Sequence, residues 1–126
     1  MVNSLLAVAF GGALGSLLRY GVGLCIAHIW PPHSYIATVL VNIVGSFLVG
    51  SLFAWFALRP ESSDLMRLLL ITGFLGGFTT FSAFSLDALR LISDGESMNA
   101  LLYMGVTLCC GLLATLLGII LIKFYL

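Results

Sequence analysis

Charge is what this sequence lacks most. Only 8% of its 126 residues are charged, five basic and five acidic, and they cancel to a net charge of zero. A soluble domain carries roughly 25% charged residues. This chain has too little polar surface to coat a water-soluble globule. It also has no run of lysine or arginine that could follow a phosphate backbone, which excludes a nucleic-acid surface. Cysteine is sparse: Cys25, Cys109 and Cys110 are odd in number, the last two are adjacent, and no zinc-ligand spacing accompanies them. They are expected to be buried apolar fillers. No nucleophile–base pair, phosphate loop or catalytic carboxylate couple can be assembled, which argues against an enzyme.

What fills the chain instead is apolar: 61% of residues are hydrophobic, and the mean hydropathy is +1.19. A membrane-spanning helix needs about 20 mostly apolar residues. Val2–Ile29, Tyr35–Leu58, Leu65–Leu86 and Met98–Phe124 each meet that length, which predicts an all-α membrane protein with a single transmembrane domain over residues 1–126. Trp30-Pro31-Pro32-His33-Ser34 ends the first span, because prolines remove backbone donors and restrict their predecessors. Arg59-Pro60-Glu61-Ser62-Ser63-Asp64 separates the second from the third, with Asp64 or a preceding serine as helix cap. Asp87 to Ser97 is read as the third break. With connections this short, the spans are expected to pack as antiparallel neighbours. The first span has no basic leader and three more spans follow, so it does not read as a signal peptide. Trp30 and Tyr35 suit the headgroup belt, and His28 and His33 are expected as solvated residues beside it.

Orientation follows the excess of lysine and arginine on cytoplasmic loops. Both termini and the second loop share one side, which carries Arg59, Arg67 and Lys123. The other side has Arg90, joined by Arg19 if that side chain snorkels. So small a difference fits either a fixed topology set by weak signals or insertion both ways, giving an antiparallel homodimer.

Polar residues inside the spans ask for an explanation, because hydrocarbon penalises them. Arg19 is the one mid-span ion in this reading, with snorkelling or pairing to carbonyls as its structural account. None of the acids is placed mid-span, which counts against proton-coupled transport. Thr38, Asn42, Ser46 and Gly50 form one stripe in the second span, and Tyr103, Thr107, Gly111 and Thr115 form another in the fourth. Gly11, Gly15 and Arg19 repeat the spacing in the first. Helix packing accounts for glycine and serine. Asn42 and Tyr103 are costlier to bury without partners. The stripes could replace an anion's water shell or coordinate a cation, and polarity alone leaves the sign open.

The third span is the least ordinary. Gly76-Gly77 and Thr79-Thr80 weaken its helix near mid-membrane depth. A broken helix there must line a cavity or be buried in protein, and it frees carbonyls for a cation and amides for an anion. Phe81 and Phe84 lie on one face beside that break, interleaved with Thr80, Ser82 and Ser85. Lipid-facing or core packing is the ordinary role for such rings, but the positive edge of an aromatic ring can also attract an anion.

These residues resemble the CrcB/Fluc family of small fluoride channels over nearly the whole chain. The match runs through Gly11-Gly12-Ala13-Leu14-Gly15-Ser16-Leu17-Leu18-Arg19-Tyr20, Val41-Asn42-Ile43-Val44-Gly45-Ser46-Phe47-Leu48 and, most specifically, Gly73-Phe74-Leu75-Gly76-Gly77-Phe78-Thr79-Thr80-Phe81-Ser82-Ala83-Phe84-Ser85. The resemblance implies an antiparallel, dual-topology homodimer in the bacterial cytoplasmic (inner) membrane, exporting fluoride passively through two pathways. It implies that Phe81 and Phe84 line the pathway with ring edges, that Asn42 donates its amide nearby, and that Tyr103 and Thr107 belong to a polar track. Ser82, Thr38 and Thr115 are carried as further pathway residues, and Arg19 as a structural or vestibule group. It also implies a structural Na+ at the dimer centre, held by backbone carbonyls of Gly76 and Thr79 from both subunits. Ala83 stands where the family often has threonine, and Gly111 where some relatives have serine, which weakens Thr115 as a pathway residue. The alternatives are a small multidrug-type proton-coupled antiporter, which needs a first-span glutamate absent here, and a non-transporting assembly subunit.

Overall fold

The computed structural model describes residues 1–126. Four helical segments are long and apolar enough to cross a membrane: Val2–Ile29, Ile36–Ala57, Asp64–Ser93 and Ser97–Tyr125. There are no strands. Helix α1 (Val2–Ile29) ends where the Trp30 amide bonds the Ile26 carbonyl at 2.7 Å, immediately before two prolines that cannot extend the ladder. A single 3-10 turn, Pro31–His33, leads into α2 (Ile36–Ala57). Ser63, rather than Asp64, caps the third span by accepting the Leu65 amide at 3.2 Å.

The third span is built in pieces. A short α3 (Asp64–Arg67) passes into a wide π-helical stretch, Leu68–Leu75, then α4 (Gly76–Phe78). Thr79 and Thr80 are extended, and α5 (Phe81–Ser93) completes the crossing. The break therefore falls on the two β-branched threonines, while Gly76 and Gly77 stay helical. Helix α5 also runs on to Ser93, so Asp87, expected in a loop, lies inside the span. Its end is closed by Gly95, the one residue at positive φ (81°), with the Glu96 amide on the Leu91 carbonyl and the Gly95 amide on that of Ile92. Helix α6 (Ser97–Tyr125) forms the fourth span.

The packing partners differ from the expected antiparallel neighbours. Alternate spans run in the same direction, and these parallel pairs make the main contacts: α1 against the wide stretch and α4, and α2 against α6. Glycines explain why. A Cβ on Gly11 or Gly15 would strike the backbone of Leu69 or Phe74, and one on Gly50 or Gly118 would strike that of Thr115 or Phe47. Small residues let these backbones touch. After the break, α5 leaves α1 and packs on α6 around Phe84, Ala88, Leu91, Ala100 and Tyr103. The two extended threonines thus let one span change partners halfway across.

Two further expectations are corrected. Cys25, Cys109 and Cys110 are exposed on the outer face of the single chain rather than buried, consistent with spans that turn apolar side chains towards lipid. His28 is exposed, as expected, but the His33 ring sits 5.0 Å from Trp30 and 5.8 Å from Tyr35, with Nδ1 buried and unpaired.

Candidate functional site

In a continuous helix the Thr80 amide would bond the Gly76 carbonyl, and the Ala83 amide that of Thr79. Both donors go elsewhere. The Thr80 amide donates to Asn42 Oδ1 at 2.7 Å, and Asn42 Nδ2 donates back to the Thr80 carbonyl at 2.9 Å. The Ala83 amide donates to Thr80 Oγ1 at 3.2 Å, which makes Thr80 the N-cap of α5. The Gly77 carbonyl receives Arg19 Nε at 3.0 Å and Ser16 Oγ at 3.5 Å. Arg19 is therefore tied to the break rather than snorkelling into the first loop. Side chains from α1 and α2 supply the bonds that the broken ladder cannot, as a backbone in hydrocarbon requires.

Beside this stitched backbone lies a cavity of about 350 Å³, lined by Asn42, Gly45, Ser46, Gly76, Thr79, Thr80, Phe81, Phe84 and Thr107 among others. It gathers residues of α2, both halves of the third span and α6. Phe84 is buried (8% exposed) and Phe81 is open to the outside of the chain (76%), their ring centroids 5.5 Å apart. Phe84 stacks on Tyr103 at 5.4 Å, and Tyr35 meets Tyr103 edge-on at 5.6 Å. With Trp30 and His33 these rings form a continuous aromatic line from the first loop to the break.

A second cleft of about 530 Å³ opens between α1, α2 and α5, lined by Arg19, Thr38, Thr80, Asp87 and Arg90 among others. Thr80 borders both spaces. Within this cleft Asp87 Oδ2 accepts Thr38 Oγ1 at 2.7 Å and the Tyr103 hydroxyl at 3.4 Å.

The sequence-predicted residues thus divide. Asn42, Phe81, Phe84 and Thr107 share the first cavity with Gly76 and Thr79, while Thr38 lies in the second beside Arg19. Tyr103 joins the two through Phe84 and Asp87. Ser82 sits on the outer face with its hydroxyl 3.2 Å from that of Thr80. The fourth-span hydroxyls are less free than their spacing implies: Thr107 donates to the Tyr103 carbonyl at 2.7 Å and Thr115 to that of Gly111 at 3.1 Å, each within its own helix. Thr115 also packs against Gly50, away from the break. Asp87, Tyr35 and the capping role of Thr80 were missed. Thr80 could have been found as a threonine opening a helix, and Asp87 as the residue three positions after Phe84, on the same helical face.

The carbonyls of Gly76 and Thr79 are the two whose usual amide partners have been diverted. Neutral backbone oxygens at an unwound helix are the donors that suit a small hard monovalent cation, so the residues present fit Na+.

Four apolar spans, one interrupted at mid-length by a backbone stitched to its neighbours, define a multi-pass helical membrane protein with an internal polar track. The chain belongs to the CrcB family: the family model described as "CrcB-like protein, Camphor Resistance (CrcB)" matches residues 6–119. It is 51% identical over 123 residues to a protein of Azotobacter vinelandii (strain DJ / ATCC BAA-1303) named "Fluoride-specific ion channel FluC", covering 98% of this chain and 99% of that one. The protein of that name from Pseudomonas fluorescens (strain SBW25) is 47% identical at the same coverage. The one from Pseudomonas putida (strain ATCC 700007 / DSM 6899 / JCM 31910 / BCRC 17059 / LMG 24140 / F1) is 44% identical over 124 residues, 98% of this chain and 100% of the relative.

Proposed function

We propose that this protein is a fluoride channel, a passive and non-enzymatic conductor that exports the ion across the bacterial cytoplasmic membrane. The observation that carries the reading is the chain of neutral groups at the break: Asn42 clasping Thr80, with Phe81, Phe84 and Tyr103 in ring contact beside it. Fluoride is small and holds its water tightly, so a pathway must offset dehydration without binding too firmly for release. The second Nδ2 hydrogen of Asn42 and the positive edges of the phenylalanines do this by dipoles. Arg19 donates its Nε to the Gly77 carbonyl and lines the second cleft, not the cavity beside Phe81 and Phe84.

The conducting unit in this proposal is an antiparallel homodimer with two pathways. The outward-facing Phe81 supports it, since a ring 76% exposed in one chain can line a closed path only against a second copy. The Gly76 and Thr79 carbonyls of both copies would hold Na+ at the centre, supplying fixed positive charge that favours anions nearby.

The test is fluoride efflux from proteoliposomes, followed by electrode with chloride as the comparison. Wild type should pass fluoride and not chloride, and Phe81→Ile or Phe84→Ile should abolish fluoride flux. Wild-type rates in both variants would remove the rings from the pathway. Silence of the wild type would leave an assembly subunit.

A further inference from the structure

We propose that Asn42 and Thr80 act as a clasp whose task is to keep the backbone carbonyls of Gly76 and Thr79 unbonded and available to a cation; this rests on the channel reading above. The argument is an accounting of donors. A polar backbone group inside a membrane seeks a partner, and the nearest partner for each of these carbonyls is the amide four residues on. For Gly76 that amide belongs to Thr80, and Asn42 Oδ1 takes it at 2.7 Å. For Thr79 it belongs to Ala83, and Thr80 Oγ1 takes it at 3.2 Å. Asn42 Nδ2 then holds the Thr80 carbonyl at 2.9 Å, so the residue cannot turn back into the helix.

Thr79 and Thr80 have φ and ψ of −82° and 159° and of −154° and 123°, an ordinary extended stretch without strain, and the clasp takes up the two amides that would otherwise return to Gly76 and Thr79. Asn42 and Thr80 are therefore positioning residues for a cation they do not touch. One primary amide on α2 links the two ions: one of its Nδ2 hydrogens is committed to Thr80, the other is left for the cavity that Phe81 and Phe84 line.

The experiment is a thermal melt of purified protein in detergent, in sodium chloride and in N-methylglucamine chloride, with fluoride flux measured in parallel. Wild type should melt higher in sodium. Asn42→Ala frees the Thr80 amide for Gly76, and the isosteric Thr80→Val frees the Ala83 amide for Thr79. Each withdraws one of the two carbonyls per subunit, so the sodium-dependent increment should fall by roughly half or more. Thr80→Ser keeps the oxygen and should keep the increment. Phe81→Ile should lose flux and keep the increment, which a general loss of folding would not produce. If wild type gains nothing from sodium, the cation site fails and the clasp with it. If wild type gains and both Asn42→Ala and Thr80→Val gain equally, the clasp alone is overturned.

Discussion

Single residues here are judged by where their hydrogen bonds go, and Asp87 shows how far that can differ from position in the sequence. It stands near a cluster of loop-like residues, so it reads as part of a break. Yet one of its oxygens receives both Thr38 and Tyr103, and Tyr103 in turn supports the Phe84 ring. Its carboxylate thus fixes the Phe84 ring at one remove. Replacing it with alanine leaves two donors without an acceptor, at a cost of roughly 1–3 kcal/mol. We expect Asp87→Ala to lower fluoride flux by about tenfold or more, equal to ~1.4 kcal/mol in the barrier. Asp87→Asn, whose amide oxygen still accepts, should recover most of it. Adding Asp87→Ala to Tyr103→Phe should cost less than Asp87→Ala costs alone, because the Tyr103 contact is already gone and only the Thr38 bond is left to lose. Parallel efflux assays on the three variants and the double variant check this. Asn42, Phe81 and Phe84 stood out in sequence by burial cost, by spacing and by the family resemblance, and the structure brings them to one cavity. The partners of Asp87 did not stand out, since no pattern along the chain tells which hydroxyl from another helix will reach it.

Elements show a similar division. The extents of α1, α2 and α6 were readable to within a residue, because apolar runs end at prolines, charges and glycine. Packing was not, because the glycine stripes identify a close-approach face without naming its partner. The faces of Gly11 and Gly15 meet the wide stretch and α4, so the third span runs parallel to α1. This gives a sharp contrast within one helix. A methyl group on Gly15 would meet the Phe74 carbonyl and the Phe78 amide nitrogen, neither of which can move aside. Gly21 and Gly23 have nothing within 4 Å. Gly15→Ala should therefore destabilise the fold by about 1–3 kcal/mol. Gly21→Ala should be neutral or stabilise it by up to ~1 kcal/mol through helix propensity. Thermal melts of both variants, with monodispersity on gel filtration, measure the difference.

At the scale of the molecule, charge and exposure become statements about assembly. With Arg19 tied to Gly77, the side holding Arg59, Arg67 and Lys123 opposes Arg90 alone, in the last turn of α5. Arg67 is itself drawn inward, with Nη2 on the Phe56 carbonyl at 2.8 Å and its guanidinium 5.2 Å from the Phe56 ring centroid. An orientation signal this slight is compatible with insertion both ways. Paired reporters at the C-terminus, one active only inside the cell and one only outside, should both be active on this chain. Two lysines added to the Trp30–Ser34 turn should bias the chain to one orientation and reduce flux from cells. Exclusive activity of one reporter on the unaltered chain would overturn the proposed antiparallel dimer. The four spans were legible in composition, while the hydroxyl stripes divided between two clefts and bonds within their own helix. The exposure of Phe81, on which the proposed second copy rests, is set by the path of the broken span and has no pattern along the chain.

The wide stretch at Leu68–Leu75 has a consequence for how the gene can vary. A π-helical turn bonds each amide to the carbonyl five residues back, so it holds an extra residue relative to an α-helix of similar height. One codon could be lost there and the helix would tighten, leaving Gly76 and everything after it in phase with α1. The same loss in α2 upstream of Asn42 would swing its amide by about 100° away from Thr80. Slack in this fold is confined to a few turns, and the break they lead into tolerates none.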